Sequence, residues 1–189
     1  MDITLFKTEK NLYFKEINSK KDIKEDKDIN GYLINSSENE IRSIIASLES
    51  KKDKKLIAIK AKDDFFNRRI IETCRVNFIV SPELNQEKDT LKQRASGFNH
   101  VLAKEAVKKG ISLLINFSEI IKQDKKRKAI IISRIMQNIK ICRKTNCKIK
   151  IVAFAKNKEE LRTENELKAF LSSLGASSQQ VAEACKFFS

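Results

Sequence analysis

Nucleophilic and metal-assisted chemistry leans on histidine and cysteine. This 189-residue chain has one histidine, His100, and four cysteines, Cys74, Cys142, Cys147 and Cys185. Structural zinc takes four nitrogen or sulfur ligands at short spacings, and Cys142-x4-Cys147 with a lone histidine elsewhere falls short of that set. An even number of cysteines permits disulfides, yet nothing in the sequence points to an oxidising compartment. Four reduced thiols packed as small hydrophobes are expected. A serine–histidine–acid arrangement would have to recruit His100, and no serine is singled out to join it. The carboxylate pairs Asp63-Asp64 and Glu159-Glu160 fall at expected helix starts, where the dipole stabilises acids without any catalytic purpose. Asp2 opens a strand, a place where barrels can hold a ligand, but it stands alone. Glycine-rich phosphate loops, nucleophile elbows and H-E-x-x-H helices are absent. The residues predict no protein catalytic site, no metal and no bound cofactor.

What the chain has in excess is positive charge. It carries 39 Lys and Arg against 25 Asp and Glu, a formal charge of +14, with a pI near 9.6. Such a balance asks for a polyanionic partner, most often nucleic acid. Residues 122–158 hold 13 of the bases and one acid, Asp124, so most of the excess is local. Over 124–145 the helical pattern has an apolar stripe at Ile132, Ile135, Met136, Ile139 and Cys142. That stripe places Lys126, Arg127, Arg134, Gln137 and Lys144 on the opposite face, with Lys140 at its margin. A solvated surface helix mixes signs to relieve repulsion. This one has no acid after Asp124, and phosphate contact is expected of it. Lys148, Lys150, Lys156 and Lys158 extend the charge over the next strand and loop.

A second cationic site is expected within 94–109. Ser96 is a candidate cap for the helix that follows, and Phe98, Val101, Leu102 and Ala106 mark its buried face. Asn99, His100 and Lys104 then lie near the helix's positive end, beside Arg94. That combination is able to hold a phosphate through N–H groups, the dipole and the guanidinium. The same residues also fit an ordinary capped helix with His100 in a local hydrogen bond, and the pattern leaves both readings open.

The elements that must position these groups alternate along the chain. Runs at 3–6, 32–35, 56–61, 77–80, 111–117 and 149–155 are rich in Ile, Val and Phe and mostly lack polar alternation, as strands buried on both faces do. Helical patterns lie at 38–50, 63–74, 98–109, 124–145, 164–174 and 177–188. Leu12, Phe14 and Ile17 suggest a further short strand, and the charged stretch 19–28 reads as an exposed loop or loose helix. Gly110 and Gly175 end helices. The alternation points to a mostly parallel sheet with helices outside, either open and doubly wound or closed into a barrel. The length suits a single domain over 1–189, and 41% apolar residues exclude a disordered chain. The longest apolar runs, such as 129–132, fall far short of the roughly 20 residues of a membrane span. The first residues lack a basic-then-apolar signal, so no membrane partner and a cytoplasmic location are expected.

The segment Ser96-Gly97-Phe98-Asn99-His100-Val101-Leu102-Ala103-Lys104 resembles the S-G-[LF]-[ND]-H-V-L-A-K signature of the archaeal and eukaryotic ribonuclease P protein component 3 family. The match continues in order. The strand after Gly110 runs into Ser118 and Ile120 like the family's "S-x-I/L" strand end, and Asn138-Ile139 with Cys142-Arg143-Lys144 comes next. Leu161-Arg162-Thr163 through Leu174-Gly175 is similar to the family's "L-R-[ST]-P-x-D-L…L-G", with Glu164 in place of the proline. The resemblance covers about 77–188 well and earlier residues weakly. It implies a single TIM-like α/β barrel, related to the PHP metallophosphoesterases but without their metal site, incompletely closed or distorted in a chain this short. It also implies a subunit of the ribonucleoprotein that removes the 5′ leader from precursor tRNA. The RNA and its bound Mg²⁺ would then catalyse the cleavage, and the partners would be ribonuclease P RNA, precursor tRNA and ribonuclease P protein component 2.

The expected RNA contacts are Arg94, His100, Lys104 and Lys109 in one patch and Lys126, Arg127, Arg134, Lys144 and Arg162 in a second. Two alternatives stand beside this: a metal-dependent small phosphoesterase of the same fold with Arg94 and the helix at Gly97 as phosphate clamp, and another structured-RNA-binding protein.

Overall fold

A computed structural model of the chain describes residues 2–23, 26–50, 55–85, 88–90 and 94–187. Seven parallel strands make one sheet in chain order: β1 (Ile3–Thr4), β2 (Leu12–Ile17), β3 (Gly31–Ile34), β4 (Leu56–Lys60), β5 (Phe78–Val80), β6 (Ser112–Asn116) and β7 (Ile149–Val152). Helices α1 (Glu38–Ser50), α2 (Asp64–Thr73), α3 (His100–Lys109), α4 (Phe117–Ile121), α5 (Lys125–Thr145), α6 (Glu164–Ser173) and α7 (Ser178–Glu183) surround it. Sequential order in a twisted parallel sheet curls the sheet on itself, and this resolves the choice in favour of the barrel.

Both faces of the strands are apolar because both are covered. Ile3, Leu12, Phe14, Leu33, Ala58, Phe78, Val80, Leu114, Val152 and Phe154 fill the interior. The alternate positions, among them Tyr32, Ile34, Ile57, Ile59, Ile79, Leu113, Ile115 and Ile151, pack beneath the helices. Gly31 is required by this filling. A Cβ there would lie 2.4 Å from the Phe14 ring and 2.6 Å from the Leu56 carbonyl oxygen.

The barrel is nearly closed, with one seam between β7 and β1. Across it run a single Thr4–Ala155 bridge, the Leu5 N–H donating to the Ala155 carbonyl at 2.8 Å, and the Ala153 N–H donating to Asp2 Oδ1 at 2.9 Å. Asp2 therefore staples the seam rather than holding a ligand. Its second carboxylate oxygen has no hydrogen-bond partner, and burial pushes its carboxyl up to about 6 against the backbone donors.

The expected elements form with adjusted ends. The short run at Leu12 becomes β2, whose Phe14 is fully buried. The expected strand 111–117 ends at Asn116, whose side chain accepts from the Glu119 N–H and starts α4. The expected helix 177–188 is regular only over α7, and position 188 lies outside the described residues. In 19–28 a 3₁₀ turn, Lys20–Asp22, is held by N–H bonds from Asn18 and Ser19 to the Asp22 carboxylate. Lys24 and Glu25 of that stretch lie outside the described residues. Among the described residues no helix is long and apolar enough to cross a membrane.

Candidate nucleic-acid interface

Asp124 caps α5 by accepting from the Lys126 and Arg127 N–H groups. Its buried face is Ile131, Arg134, Ile135, Asn138, Ile139, Ile141 and Cys142. The expected stripe is rotated by part of a turn: Met136 is 39% exposed and Arg134 only 1%. The rotation follows from two polar residues, Arg134 and Asn138, that occupy core-facing positions and hide the true stripe from an apolar count.

Arg134 is thus corrected from a phosphate contact to an internal clamp. Its Nε and Nη2 bind Asp89 Oδ1 at 2.9 and 2.8 Å, and its Nη1 donates to the Glu83 and Asn85 carbonyls. Burial opposes ionisation of Asp89, but the Ala95 N–H and the Arg134 guanidinium win and hold it below the usual carboxylate range. Arg127, half-buried, also holds this loop, its Nη2 donating to the Leu84 and Asn85 carbonyls. Both arginines hold the chain entering and leaving the loop between β5 and α3.

The 96–104 segment follows from this clamp. Asn99, not Ser96, caps α3, accepting from the Val101 and Leu102 N–H groups. Ser96 is buried, takes a hydrogen bond from Gln137 and offers its carbonyl to Asn138. Gly97 has φ +66°, and a Cβ on it would lie 2.4 Å from the Pro82 carbonyl oxygen. Asn67 donates to the Gly97 carbonyl. Only glycine fits where three elements close on the backbone.

The outward face of α5 is left to Lys125, Lys126, Ala129, Ile130, Ser133, Met136, Lys140, Arg143 and Lys144. Its bases gather at the two ends, and Lys126 to Lys144 spans about 27 Å at 1.5 Å per residue. Arg94 fills the gap, donating to Ser133 Oγ midway along the helix. Helix α3 packs against α5 and adds exposed His100 and Lys104. Lys109 is separated from them by the length of α3 and binds the Glu72 carbonyl at the end of α2. Arg162 lies at the C-terminal rim of the barrel, donating to the Glu159 and Leu161 carbonyls with its guanidinium 6.0 Å from the centre of the Phe117 ring. Lys150 is also withdrawn from the surface. It is buried and donates to the Glu183 and Lys186 carbonyls at 2.7 and 2.6 Å.

The structure therefore unites Arg94, His100, Lys104, Lys126 and Lys144 on two adjoining helices and excludes Lys109, Arg127, Arg134 and Arg162. It adds Lys125, Lys140 and Arg143, of which Lys140 stands four residues before Lys144 and three before Arg143, and Lys125 beside Lys126. Lys125, Lys126, Lys140 and Lys144 make no ion pair among the described residues. At the barrel rim the pattern is opposite: Lys60 meets Glu119 at 3.7 Å, Lys122 meets Glu160 at 2.9 Å and Lys156 meets Glu16 at 3.8 Å. Among the described residues no three His, Cys, Asp or Glu side chains gather as a metal site.

A profile of the RNase P subunit p30 family matches residues 17–187. The chain belongs to this family. The p30-family chain is 23% identical to ribonuclease P protein component 3 of Methanococcus vannielii over 142 residues, which are 75% of this chain and 58% of that one. Against the protein of the same name from Methanocaldococcus jannaschii it is 30% identical over 108 residues, 57% and 44% of the two. It spans about half the length of the curated relatives it matches. Its fold resembles that of a chain in a cryo-electron-microscopy structure of archaeal ribonuclease P with mature tRNA, at a TM-score of 0.72 and 19% identity, covering 96% of this chain and 86% of the other. A likeness to an amidohydrolase crystal structure is weaker, at a TM-score of 0.57 and 14% identity over 83% and 40%. In this p30-family chain Glu164, which replaces the expected proline, opens α6 and pairs with Lys168 at 2.5 Å.

Proposed function

We propose that this chain is an RNA-binding protein subunit of ribonuclease P. It supports removal of the 5′ leader from precursor tRNA by holding the catalytic RNA, with the chemistry carried by that RNA and its Mg²⁺. The observation that carries the reading is the outward face of α5, where Lys125, Lys126, Lys140 and Lys144 pair with no acid among the described residues while the lysines of the barrel rim do. Cations left in this state release the counterions condensed on a phosphate backbone when they meet it. Among large exposed side chains the face offers valine, isoleucine and methionine rather than aromatic rings, which fits recognition of structured RNA by shape and phosphate rather than by base stacking.

Family membership and the likeness to an archaeal ribonuclease P chain support the assignment. Ribonuclease P protein component 2 is the proposed protein partner, in a heterodimer or heterotetramer. The test is reconstitution of precursor-tRNA cleavage with a variant carrying Arg94→Gln, Lys126→Gln and Lys144→Gln. Weaker RNA binding and a higher Mg²⁺ or protein requirement are expected, and unchanged affinity at raised salt would overturn the interface. The phosphoesterase alternative would rest on His100 as its base, and that residue is exposed in the first turn of α3.

A further inference from the structure

The N-terminal mouth of the barrel, opposite the rim of paired lysines and glutamates, holds a cavity that the RNA-facing reading leaves unused. It opens at the starts of β4, β5, β6 and β7, with the end of α7 on its remaining side, and its volume of about 490 Å³ lies in the range of small-ligand sites. Strand alternation explains its charge. Ile149 and Ile151 of β7 pack beneath the helices and Val152 faces the interior, which gives Lys148 and Lys150 the inward register. Barrel interiors are ordinarily filled by branched apolar side chains, so two lysines there are out of pattern. Lys150 is buried, and two of its three protons go to the Glu183 and Lys186 carbonyls at 2.7 and 2.6 Å, leaving one to donate. Lys148 is exposed at the lip and makes no ion pair among the described residues. Lys186 pairs with Glu183 at 2.7 Å. Burial holds the Lys150 ammonium below the ordinary lysine range, and Lys148 and Lys186 add to this against the attraction of Glu183. The floor is apolar instead. Leu56 and Phe78 face the interior, and Phe187 meets Phe78 edge-on with ring centres 6.0 Å apart. Asn77, also on the cavity wall, accepts the Ile57 N–H at 2.8 Å through Oδ1, and its amide protons have no partner among the described residues. At the opposite mouth Lys60 and Lys62 are already taken up by Glu119 and the Ser36 carbonyl.

We propose that this cavity binds a single nucleotide, with its phosphate among Lys148, Lys150 and Lys186 and its base on the floor of Leu56, Phe78 and Phe187. Three ammonium groups against the one carboxylate of Glu183 leave the site an excess of positive charge, which a phosphate neutralises. The Asn77 amide offers donors to a base or ribose oxygen. A bare anion leaves the apolar floor wet, and an uncharged apolar ligand leaves the lysines unneutralised, so the two halves together select a ligand that has both. The nucleotide is either free in solution or one unstacked residue of an RNA, since Asn146, which lines the same cavity, follows Lys144 of the basic face by two residues. The second source rests on the ribonuclease P reading, and the first does not.

Titration of the full chain with adenosine, guanosine, cytidine and uridine 5′-monophosphates, with their parent nucleosides and with inorganic phosphate, tests this by calorimetry and amide NMR shifts. At least one monophosphate should bind and move the signals of Ser112, Lys148 and Phe187, while its nucleoside and inorganic phosphate each bind at least about tenfold more weakly. Lys148→Gln with Lys186→Gln, both at exposed positions, should weaken that binding by about tenfold or more, as expected for a lost charged hydrogen bond, with an unchanged melting temperature. A short single-stranded RNA of the preferred base that displaces the monophosphate identifies RNA as the source, and one that does not identifies the free nucleotide. No binding of any monophosphate at millimolar concentration, equal affinity for inorganic phosphate, or shifts confined to the outward face of α5 would overturn the proposal. The shift map of the unmodified chain decides this even where the double variant loses stability.

Discussion

Buried charges set the behaviour of individual residues in this protein. Arg134 is 1% exposed and bound to Asp89 and to loop carbonyls. Removing it takes the buried guanidinium from Asp89 and one donor from each of those carbonyls, so Arg134→Ala should lower the unfolding free energy by about 3–5 kcal/mol in denaturant titration. Arg134→Met, which restores volume, should cost less and leave RNA affinity unaltered. A buried clamp and a phosphate contact make opposite demands there. Gly97→Ala places a Cβ against the Pro82 carbonyl at φ +66° and should destabilise by at least about 2 kcal/mol in the same assay. Asp2 titrates in the other sense from Asp89. Its folded value, about 6, is raised from 3.8, so its contribution is fully present below pH 4 and is lost as pH rises through about 6. The shift corresponds to something on the order of 3 kcal/mol. Asp2→Asn keeps an acceptor for the Ala153 N–H and should flatten the stability profile between pH 4 and 6, measured by urea midpoints. Glu83, fully buried with neither carboxylate oxygen partnered and raised to about 7, extends the same decline toward neutral pH.

At the scale of the element, α5 is a helix with a polar clamp inside and two basic clusters outside. On the proposed reading the clusters act through phosphate contact and not through folding, since Lys125, Lys126, Lys140 and Lys144 are exposed and pair with no acid among the described residues. Each contact is worth about 0.7–0.9 in the slope of log K against log salt. Lys140→Gln with Lys144→Gln should therefore reduce that slope by about 2 with an unchanged melting temperature, as filter binding at several salt concentrations would show. The helix itself was legible from periodicity within a residue at each end. Its face was not, because Arg134 and Asn138 count as polar in sequence while their partners, Asp89, Asn85 and Ser96, lie some 40 residues away. The cap of α3 was misplaced for a related reason. Ser96 and Asn99 are both competent caps, and only the burial of Ser96 under Gln137 and Asn138 decides between them.

The whole molecule is a nearly closed seven-stranded barrel whose β7–β1 seam is crossed by one bridge, the Leu5–Ala155 hydrogen bond and one carboxylate. A rim of paired lysines and glutamates lies at its C-terminal mouth, whereas the basic clusters of α5 lie on the flank of the barrel. The alternation of apolar runs and helical patterns, the concentration of charge in 122–158 and the signature at 96–104 were all determined by the sequence alone, because each depends on residue types at local spacing. Closure of the sheet, the Arg134–Asp89 clamp, the withdrawal of Arg127, Lys150 and Arg162 onto backbone carbonyls and the meeting of Arg94 with Ser133 were decided only in three dimensions. A lysine or arginine in a sequence is simply a charge. Whether it reaches solvent, an acid or an orphaned carbonyl depends on what distant strands and helices place beside it, and here that separates the cations that face outward from those that hold the barrel together.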